Sequence, residues 1–419
     1  MIQAFYTGIT GLMAGQSAID ISADNIANVS TVGFRGNNAE FASLFEDAKG
    51  TMVTSSNPST IGGGVRLQAS TIDLSEGSFA LSERSTDMAI EGDGWFGVVN
   101  RGANEYTRAG AFTFDQNSDL VTVDGLYVLG SMGGNIDFTT NTLTVPLQEV
   151  PLKNVDGQEK LSFPNSLTYP PVPSTKAQYI GNLGTDDVVV TMGADIVDPQ
   201  SNKNNLKLSF TKSVPQVAPG SQWDVVATTQ TLDGSTIYDT KTGKAFFDAQ
   251  GGLTSSTLTT IDNNGAAVNI DLGGNFSGVT TIANIPPTST SITDGTIGGE
   301  LVGYDINRYA EVVATFSNGL QSTVGQVAIY HFNNDFGLER ATGARFKQSV
   351  NSGDPKIFKD ANGVNTIGAN VMTYRLENSN VTLDKGLTNL IILQRSYDAN
   401  SKSISTANEM MQKALNMDA

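Results

Sequence analysis

The two ends of the chain carry a helical pattern of hydrophobic positions. Within residues 1–28, large apolar side chains recur in alternating steps of three and four, and residues 383–415 repeat this alternation. Such spacing places the apolar side chains on one face of a helix and is typical of a coiled-coil seam. The pattern therefore predicts two amphipathic helices that pair. The predicted seam residues are Ile2, Phe5, Ile9, Leu12, Ile19 and Ile26 in the first helix, and Leu383, Leu387, Leu390, Tyr397, Ile404, Met411 and Leu415 in the second.

Between these ends the helical period gives way to alternation with a period of two. Residues 106–129 alternate in this way and contain Asp124-Gly125 between VTV and LYVL, which predicts a hairpin with a two-residue turn. Residues 310–332 and 371–377 are also strand-like. The middle of the chain is therefore predicted to be rich in β-strands.

Two clusters of proline divide this β-rich region. Six of the 13 prolines lie between Pro146 and Pro173, and Pro286-Pro287 form the second cluster. Because proline stiffens linkers and cannot donate to a β-ladder, the clusters bracket a predicted inserted domain. The predicted fold class is mainly β with terminal α-helices, in a nested multi-domain arrangement. The predicted domains are 1–30 with 378–419 (a terminal helical coiled-coil domain), 31–73 (a connector), 74–173 with 288–377 (a β domain split by the insertion), and 174–287 (an inserted outer β domain).

The connector has two interpretations. Phe41, Leu44 and Phe45 stand at helical spacing, and the irregular stretch SSNPSTIGGGVR follows at residues 55–66. The segment is either an exposed linker or an ordered connector that braces neighbouring subunits. A free linker would not need the apolar residues of FASLF, so we favour the ordered connector.

Two paired helices leave part of their apolar surface uncovered, and isolated helices are only marginally stable in water. We therefore expect the termini of a lone chain to be mostly disordered and to need neighbouring chains to complete their core. This behaviour is typical of a self-assembling subunit. The alternative is a single intramolecular coiled-coil stalk.

Composition excludes several kinds of site. The 25 basic and 42 acidic residues give a net charge of −17, which disfavours binding to nucleic acid or anionic membranes. The absence of cysteine excludes disulfides and thiolate chemistry, and His331, the single histidine, fits an exposed or half-buried position in a strand. No apolar run is long enough to span a membrane, and no basic residue precedes Arg35, so a standard secretory signal is not predicted.

Residues 92–97 read GDGWFG, which has the Gly-x-Gly-x-x-Gly spacing of a dinucleotide-binding loop. Such a loop must open a helix whose N-terminus binds the phosphates. The sequence that follows, VVNRGANEYTR, is strand-like instead. We therefore interpret Gly92 and Gly94 as a tight turn between strands that places Trp95 and Phe96 in a β core, with no cofactor.

The stretch DQNSDLVTVDGL at residues 115–126 has oxygen-bearing side chains at the 1-3-5 spacing of an EF-hand calcium loop. Leu120 and Leu126 stand where that loop requires Gly and Glu, so the pattern favours a β-turn and no metal site is predicted. Carboxylates are numerous enough to form a glycosidase-like pair, but nothing in the sequence singles one out. An extracellular β-rich enzyme therefore remains an alternative without residue evidence.

Both ends of the chain resemble one protein family. SADNIANVSTVGFRGNNAEF (22–41) is similar to the N-terminal motif of bacterial flagellar axial proteins, the rod and hook family, and residues 376–412 resemble the partner motif at the C-terminus. Residues 74–100 and 309–346 resemble segments of the conserved β domain of that family. The motif residues are Asn25, Asn28, Gly33, Phe34, Gly92, Gly94, Asn380, Gln394, Arg395 and Asn400.

Three segments of the insert, AQYIGNLGT (177–185), SQWDVVATTQ (221–230) and AFFDAQGGL (245–253), resemble the hook-type member of the family. Rod-type members lack a sizeable insert. A long rod-type or a second hook-like member remains an alternative.

The resemblance implies a structural subunit rather than an enzyme, without cofactors, that polymerises into a curved hollow helical tube and acts as a universal joint. The terminal helices would form the inner layer of this tube. The implied partners are copies of the chain itself, the distal rod protein, the hook cap protein, the hook–filament junction protein and the flagellar type III export apparatus, with no nucleic acid and no membrane insertion. The implied location is the extracellular flagellum, after export without a cleaved signal peptide.

Overall fold

The computed structural model describes residues 2–45, 62–186, 189–216 and 218–417. Two helices lie at the ends of the sequence, and the strands between them form a hairpin and two β domains, one inserted into the other. The fold class predicted from the sequence, mainly β with terminal α-helices, is confirmed. Neither described helix is long and apolar enough to cross a membrane.

The terminal helices α1 (Ile2–Ala27) and α2 (Leu383–Met417) pack against each other in antiparallel orientation. Gly8 faces Ile404, so closely that a Cβ at Gly8 would lie 2.6 Å from its side chain, and Gly11 faces Asn400 in the same way. Small residues therefore allow the two helices to approach closely. Both helices are formed and paired within one chain.

A two-stranded hairpin follows α1. Strand β1 (Asn37–Phe45) pairs antiparallel with β2 (Gly62–Ile72), and both strands lie against α1. The helical spacing assigned to the apolar residues of FASLF was wrong, because these residues belong to β1. A register shift between Glu40 and Phe41 marks a bulge that breaks the strict alternation of the strand. The part of the predicted connector at 46–61 lies outside the described residues.

The first half of the split β domain follows the hairpin. A 3₁₀ turn at Val155–Gly157 interrupts it. Its strands are β3 (Phe79–Leu81), β4 (Met88–Glu91), β5 (Trp95–Asn100), β6 (Ala103–Thr107), β7 (Phe112–Phe114), β8 (Leu120–Thr122), β9 (Tyr127–Met132), β10 (Ile136–Asp137), β11 (Thr142–Leu143), β12 (Glu159–Lys160) and β13 (Thr168–Tyr169).

The inserted domain is a ten-stranded sheet with its own core around Trp223, Phe210 and Tyr179. Its last strand pairs antiparallel with its first, so the inserted sheet ends at Thr293 and the predicted boundary at 287 falls too early. Its strands are β14 (Lys176–Asn182), β15 (Val190–Val197), β16 (Lys203–Lys212), β17 (Ser221–Thr231), β18 (Ile237–Phe247), β19 (Gly252–Ser256), β20 (Thr260–Asn263), β21 (Ala266–Asp271), β22 (Asn275–Thr280) and β23 (Thr288–Thr293).

The chain then returns to the split domain, where β24 (Gly299–Ile306), β25 (Glu311–Phe316) and β26 (Gln321–Val327) lie in this order between β13 and β9 in the sheet. A core around Phe96, Phe112 and Phe316 is thus built from both halves of the domain. A 3₁₀ turn lies at Asp335–Gly337. The returning strands are β24 (Gly299–Ile306), β25 (Glu311–Phe316), β26 (Gln321–Val327), β27 (Ile329–Tyr330), β28 (Glu339–Ala341), β29 (Arg345–Lys347), β30 (Phe358–Lys359), β31 (Asn365–Thr366), β32 (Asn370–Thr373) and β33 (Arg375–Glu377).

Five hairpin loops of both β domains share one construction. The first residue is Asp or Asn, its Oδ1 accepts the backbone N–H groups two and four positions later, and its own N–H donates to the carbonyl four positions later. The residue at the fourth position has positive φ. The side chain thus satisfies backbone donors that the tight loop would leave unpaired. The loops begin at Asp115, Asp198, Asp248, Asn307 and Asp360.

This construction explains two patterns in the sequence. The calcium-like stretch at 115–126 opens with such a loop, and Asp115 is engaged in closing it, so the predicted β-turn is confirmed. The next loop, around Asp124-Gly125, joins β8 to β9 as predicted, but it has three residues. Thr122 donates its N–H to the carbonyl of Leu126, and Gly125 has φ 79°. This is the three-residue hairpin with a glycine bulge rather than the two-residue turn.

We expect Asp115→Ala to destabilise the split domain by about 1 kcal/mol, because two backbone N–H groups lose their acceptor. Asp115→Asn keeps Oδ1 and should retain most of the stability. Urea unfolding followed by the fluorescence of Trp95, which lies in the same domain, measures both effects. A rise in the unfolding midpoint on adding calcium, or an Asn variant as unstable as the Ala variant, would contradict the assignment.

Candidate assembly site at the chain termini

The two family-motif segments meet where the helix pair joins the split domain. Gly36 donates its N–H to Oδ1 of Asn380 at 2.8 Å, and Nδ2 of Asn380 donates to the carbonyls of Asp73 and Ser75. On the other side, the N–H of Gly33 donates to the carbonyl of Glu377 at 2.7 Å. Residues from the beginning and the end of the sequence are therefore joined by direct hydrogen bonds.

Gly33 is required at this junction by its geometry. Its φ is 66°, and a Cβ would lie 2.3 Å from the backbone nitrogen of Ala109. Any side chain would therefore push the N-terminal segment off the split domain. Next to it, Phe34 is buried and its ring lies beneath the guanidinium of Arg340.

Asn25 and Asn28 hold the end of α1. Asn25 donates Nδ2 to the carbonyl of Asn37 at 2.8 Å and accepts the N–H of Asn37 on its Oδ1. Asn28 donates Nδ2 to the carbonyl of Asp24 and accepts the hydroxyl of Thr31. The helix is thus tied to the start of the hairpin strand β1.

A buried ion cluster lies at the centre of the junction. Nη2 of Arg35 is 2.8 Å from Oε1 of Glu377, and Nη1 of Arg108 is 3.6 Å from Oε2 of the same carboxylate. All three side chains are at least nine-tenths buried. The carboxylate also accepts the N–H of Gly77 at 3.1 Å. One carboxylate therefore pairs with two guanidinium groups that belong to different segments of the chain.

Burial lowers the pKa of Arg108 to about 10, and the nearby Arg35 cation lowers it in the same direction, whereas Glu377 raises it. Arg108 therefore still carries its charge at neutral pH. Each cation depends on Glu377, because an unpaired charge in this environment is costly. None of Arg35, Arg108 and Glu377 was singled out from the sequence. The available signal was a charged residue within the apolar segments VGFRG and YTRAG.

The GDGWFG turn is attached to this cluster. Arg108 donates to the carbonyls of Ile90 and Gly92, at 3.1 and 2.6 Å. Strand β5 begins directly after the turn, so the prediction of a tight turn rather than a phosphate-binding loop is confirmed. Gly94 has φ 140°, and a Cβ there would lie 2.5 Å from the side chain of Ile329. Trp95 is buried as predicted and donates its indole N–H to Asp335.

His331 also lies near this turn. It is buried, its Nε2 is 3.1 Å from the carbonyl of Ile367, and its ring packs on Phe358. Burial lowers the pKa of His331, so the ring is neutral at neutral pH. His331 is therefore more deeply buried than the exposed or half-buried strand position predicted from the sequence, and it forms an isolated bridge with Lys356.

The structure corrects the predicted seam of the helix pair. The row of α1 that packs most closely is small: Gly8, Gly11, Ala14, Ala18 and Ser22 are buried. The predicted row of α1, Phe5, Ile9, Leu12, Ile19 and Ile26, is only half-buried, and the side chain of Ile2 lies outside the described part. Of that row, Ile26 approaches α2, at Gly386.

On α2, the predicted seam was right for one row of residues and wrong for the other. Tyr397 and Ile404 approach Gly15 and Gly8 of α1, and Leu390 and Met411 continue their row at heptad spacing. The other predicted residues are exposed: Leu383, Leu387 and Leu415, as are Gln394 and Arg395 of the family motif. Asn400 packs against Gly11.

The outward rows of the two helices form one surface, which we call the outer apolar face. The hairpin side of α1 carries Thr7 and Thr10, and that of α2 carries Ile392 and Ser396. At about 100° per residue, the row containing Leu12 and the row containing Leu387 both lie opposite the hairpin. The outer apolar face consists of Phe5, Ile9, Leu12 and Ile19 on α1, and Leu383, Leu387 and Ile391 on α2.

The α2 side of this face is strongly exposed, with 52 % of Leu383, 45 % of Leu387 and 57 % of Ile391 accessible to solvent. A contiguous apolar surface of this kind marks an interaction site. The arrangement defines a class of protein that joins its two ends in one helix pair and presents the pair for contact with other chains.

Comparison with known proteins places the chain within this class. Residues 5–35 match the family described as flagella basal body rod protein, residues 89–151 match the flagellar hook protein FlgE/F/G D1 domain, and residues 372–417 match the flagellar basal body rod FlgEFG protein C-terminal family. These matched segments contain the junction and the helix pair. At both ends and in the split domain, the chain is therefore similar to flagellar rod and hook proteins.

Similar proteins extend along the whole chain. Flagellar hook protein FlgE of Brucella suis is 29 % identical and aligns with 98 % of both chains, and that of Escherichia coli is 28 % identical over 99 % of this chain and 100 % of the relative. The crystal structure of Helicobacter pylori flagellar hook protein FlgE2 matches with a TM-score of 0.52 at 17 % identity, over 71 % of this chain and 100 % of the other. The structural match supports the fold alone.

We expect Glu377→Gln to destabilise the protein by about 3–5 kcal/mol, because Arg35 and Arg108 are left buried without a counter-charge. Urea unfolding followed by Trp95 fluorescence measures the loss. Lys244→Gln breaks an ion pair between half-exposed side chains and should cost less than about 1 kcal/mol. Equal effects of the two variants would show that the buried cluster does not hold the junction.

Proposed function

We propose that the chain is the structural subunit of the bacterial flagellar hook. It would self-assemble into a curved, hollow helical tube that transmits torque from rod to filament as a universal joint. The observation that carries this proposal is the outer apolar face of the helix pair, in a chain whose relatives named flagellar hook protein align along its full length. The role is structural rather than enzymatic.

The outer apolar face supplies a driving force for assembly. Complete burial of a Leu or Ile side chain contributes about 1.5–3 kcal/mol. Leu383, Leu387 and Ile391 are each about half exposed in the lone chain, so about half of this free energy is still available for assembly. Packing copies of the helix pair side by side would cover these residues. The terminal helices would then form the inner layer of the tube and carry the torque.

The inserted domain favours a hook subunit over a rod-type one. The alignments with hook protein relatives include the residues of the inserted sheet, β14 to β23. A rod-type or second hook-like member of the family is the remaining candidate. The further proposed partners are the distal rod protein, the hook cap protein, the hook–filament junction protein and the flagellar type III export apparatus. The subunit would reach the cell exterior through that apparatus, without a cleaved signal peptide.

Bending is proposed to occur between β domains that slide across polar contacts. The inserted domain is joined to the split domain by two chain segments. These segments exchange two backbone hydrogen bonds of 2.9 Å between Val172 and Thr296, flanked by Pro170, Pro171 and Pro173. Gly298, on the returning segment, also donates its N–H to Oγ of Ser201 in the inserted domain at 2.8 Å. So narrow a connection supports movement of the insert relative to the helix-bearing base.

Leu387→Asp should abolish tube formation and leave both β domains folded, because a charge would be placed in the outer apolar face without disturbing the packing of α1 on α2. Ile19→Asp is the corresponding change on α1. Electron microscopy of purified protein at raised salt, which screens the −17 net charge, shows whether tubes form.

Thr388→Asp is the matched control, since it introduces the same charge at the neighbouring exposed position, about 100° away on α2. This variant should form tubes. Circular dichroism and tryptophan fluorescence verify folding of all three. Normal tubes from Leu387→Asp would contradict an assembly role for the face.

Replacing residues 173–295 by a short turn should leave the helix pair and the split domain folded, because Val172 and Thr296 already stand opposite each other. The shortened subunit is expected to form tubes of altered curvature, visible by electron microscopy. Tubes as curved as those of the parent would show that the insert does not set curvature.

A further inference from the structure

Three Asn-Gly pairs occur in the sequence, at residues 264, 318 and 362. Asn-Gly is the dipeptide most open to spontaneous deamidation, because glycine has no Cβ to shield its backbone nitrogen. In this reaction the nitrogen of the glycine attacks the side-chain Cγ of Asn, and ammonia leaves as a cyclic imide forms. Water then opens the imide to Asp or to its isomer with the backbone routed through the side chain. The reaction requires the Asn side chain to leave its native contacts.

The fold holds the side chains of the three Asn residues by different hydrogen bonds. Nδ2 of Asn264 donates to Oδ2 of Asp198 at 2.8 Å and to Oε1 of Gln200 at 2.9 Å. This side chain is thus bound at two points within the inserted domain. Its rotation toward Gly265 would break both hydrogen bonds.

Asn318 and Asn362 form a matched pair. Each lies two positions after the residue that opens its hairpin loop, Phe316 or Asp360, and the following Gly319 and Gly363 have φ of 80° and 81°. In both loops the glycine N–H donates to the carbonyl of the first loop residue, at 2.9 and 3.0 Å. The backbone geometry of the reacting groups is therefore the same at the two sites.

The side chains of this pair differ. Asn318 is half-buried, donates Nδ2 to the carbonyl of Ile297 at 2.8 Å, and accepts the N–H of Leu320 at 3.0 Å. It must cap its own loop, because the first residue of that loop is Phe316 and offers no side-chain acceptor. In the loop of Asn362, the side chain of Asp360 accepts the backbone N–H groups instead.

Asn362 is exposed, and its side chain makes one long hydrogen bond, 3.4 Å from Nδ2 to Oδ2 of Asp360. We propose that Asn362 is a site of spontaneous deamidation in the folded protein, while Asn318 and Asn264 are protected by their side-chain hydrogen bonds. The product would place a second carboxylate beside Asp360 and make an acidic surface more acidic.

Incubation of the full-length protein at mildly alkaline pH, followed by peptide mapping with mass spectrometry, tests this proposal. In the folded protein, deamidation at Asn362 should be about tenfold or more faster than at Asn318, because two additional hydrogen bonds must break at Asn318. In the urea-unfolded chain, the three sites should react at similar rates. Asn362→Gln should remove the reactive site and leave the others unchanged.

Equal rates at Asn318 and Asn362 in the folded protein would overturn the proposal. So would a preference for Asn362 that persists unchanged in urea, because the sequence next to each site, rather than the fold, would then set the rate.

Discussion

The junction depends on a single buried carboxylate. Glu377 lies between Arg35 and Arg108, and these residues belong to the C-terminal segment, the N-terminal segment and the split β domain. Two guanidinium groups could not be buried so close together without it. The hydrogen bonds of Asn380 and Gly33 are arranged around this cluster. Torque that enters through the helix pair would therefore reach the split β domain through a tightly packed, buried ion cluster rather than through a loose linker.

The close packing of the helix pair has a consequence for assembly. Because Gly8 and Gly11 let Ile404 and Asn400 of α2 approach the backbone of α1, most of the large apolar side chains of α1 do not lie between the helices. They are displaced to the outer apolar face, where one chain cannot cover them. The same amphipathic pattern thus serves two contacts: a small-residue contact within the chain and a large-residue contact available to other chains. A seam of Leu and Ile within the pair would bury these side chains in the lone chain. Less apolar surface would then remain to drive assembly.

The sequence predicted the kinds of element well and their partners less well. A three-four alternation identifies an apolar row on a helix but not what covers it, so the outer row of Leu387 was assigned to the seam and the glycine row was missed. FASLF was given a helical period because the bulge at Phe41 disturbs the alternation of its strand. The cluster around Glu377 was not foreseen, since its members come from three distant segments. The GDGWFG turn and the β-turn at Asp115 were predictable, because their chemistry is local.

The two β domains differ in how firmly they are held, and this follows from the route of the chain. The split domain is closed by strands from both halves of the sequence and is joined to the helices through the junction, so its position relative to the helix pair is determined by many contacts. The inserted domain leaves and returns through one bridged pair, Val172 and Thr296, beside stiff prolines. The proposed hook must transmit torque yet bend, and this contrast would serve both needs. Stiffness would lie in the split domain and helix pair, which the buried ion cluster joins, and compliance would lie in the inserted domain, which is attached by the fewest bonds.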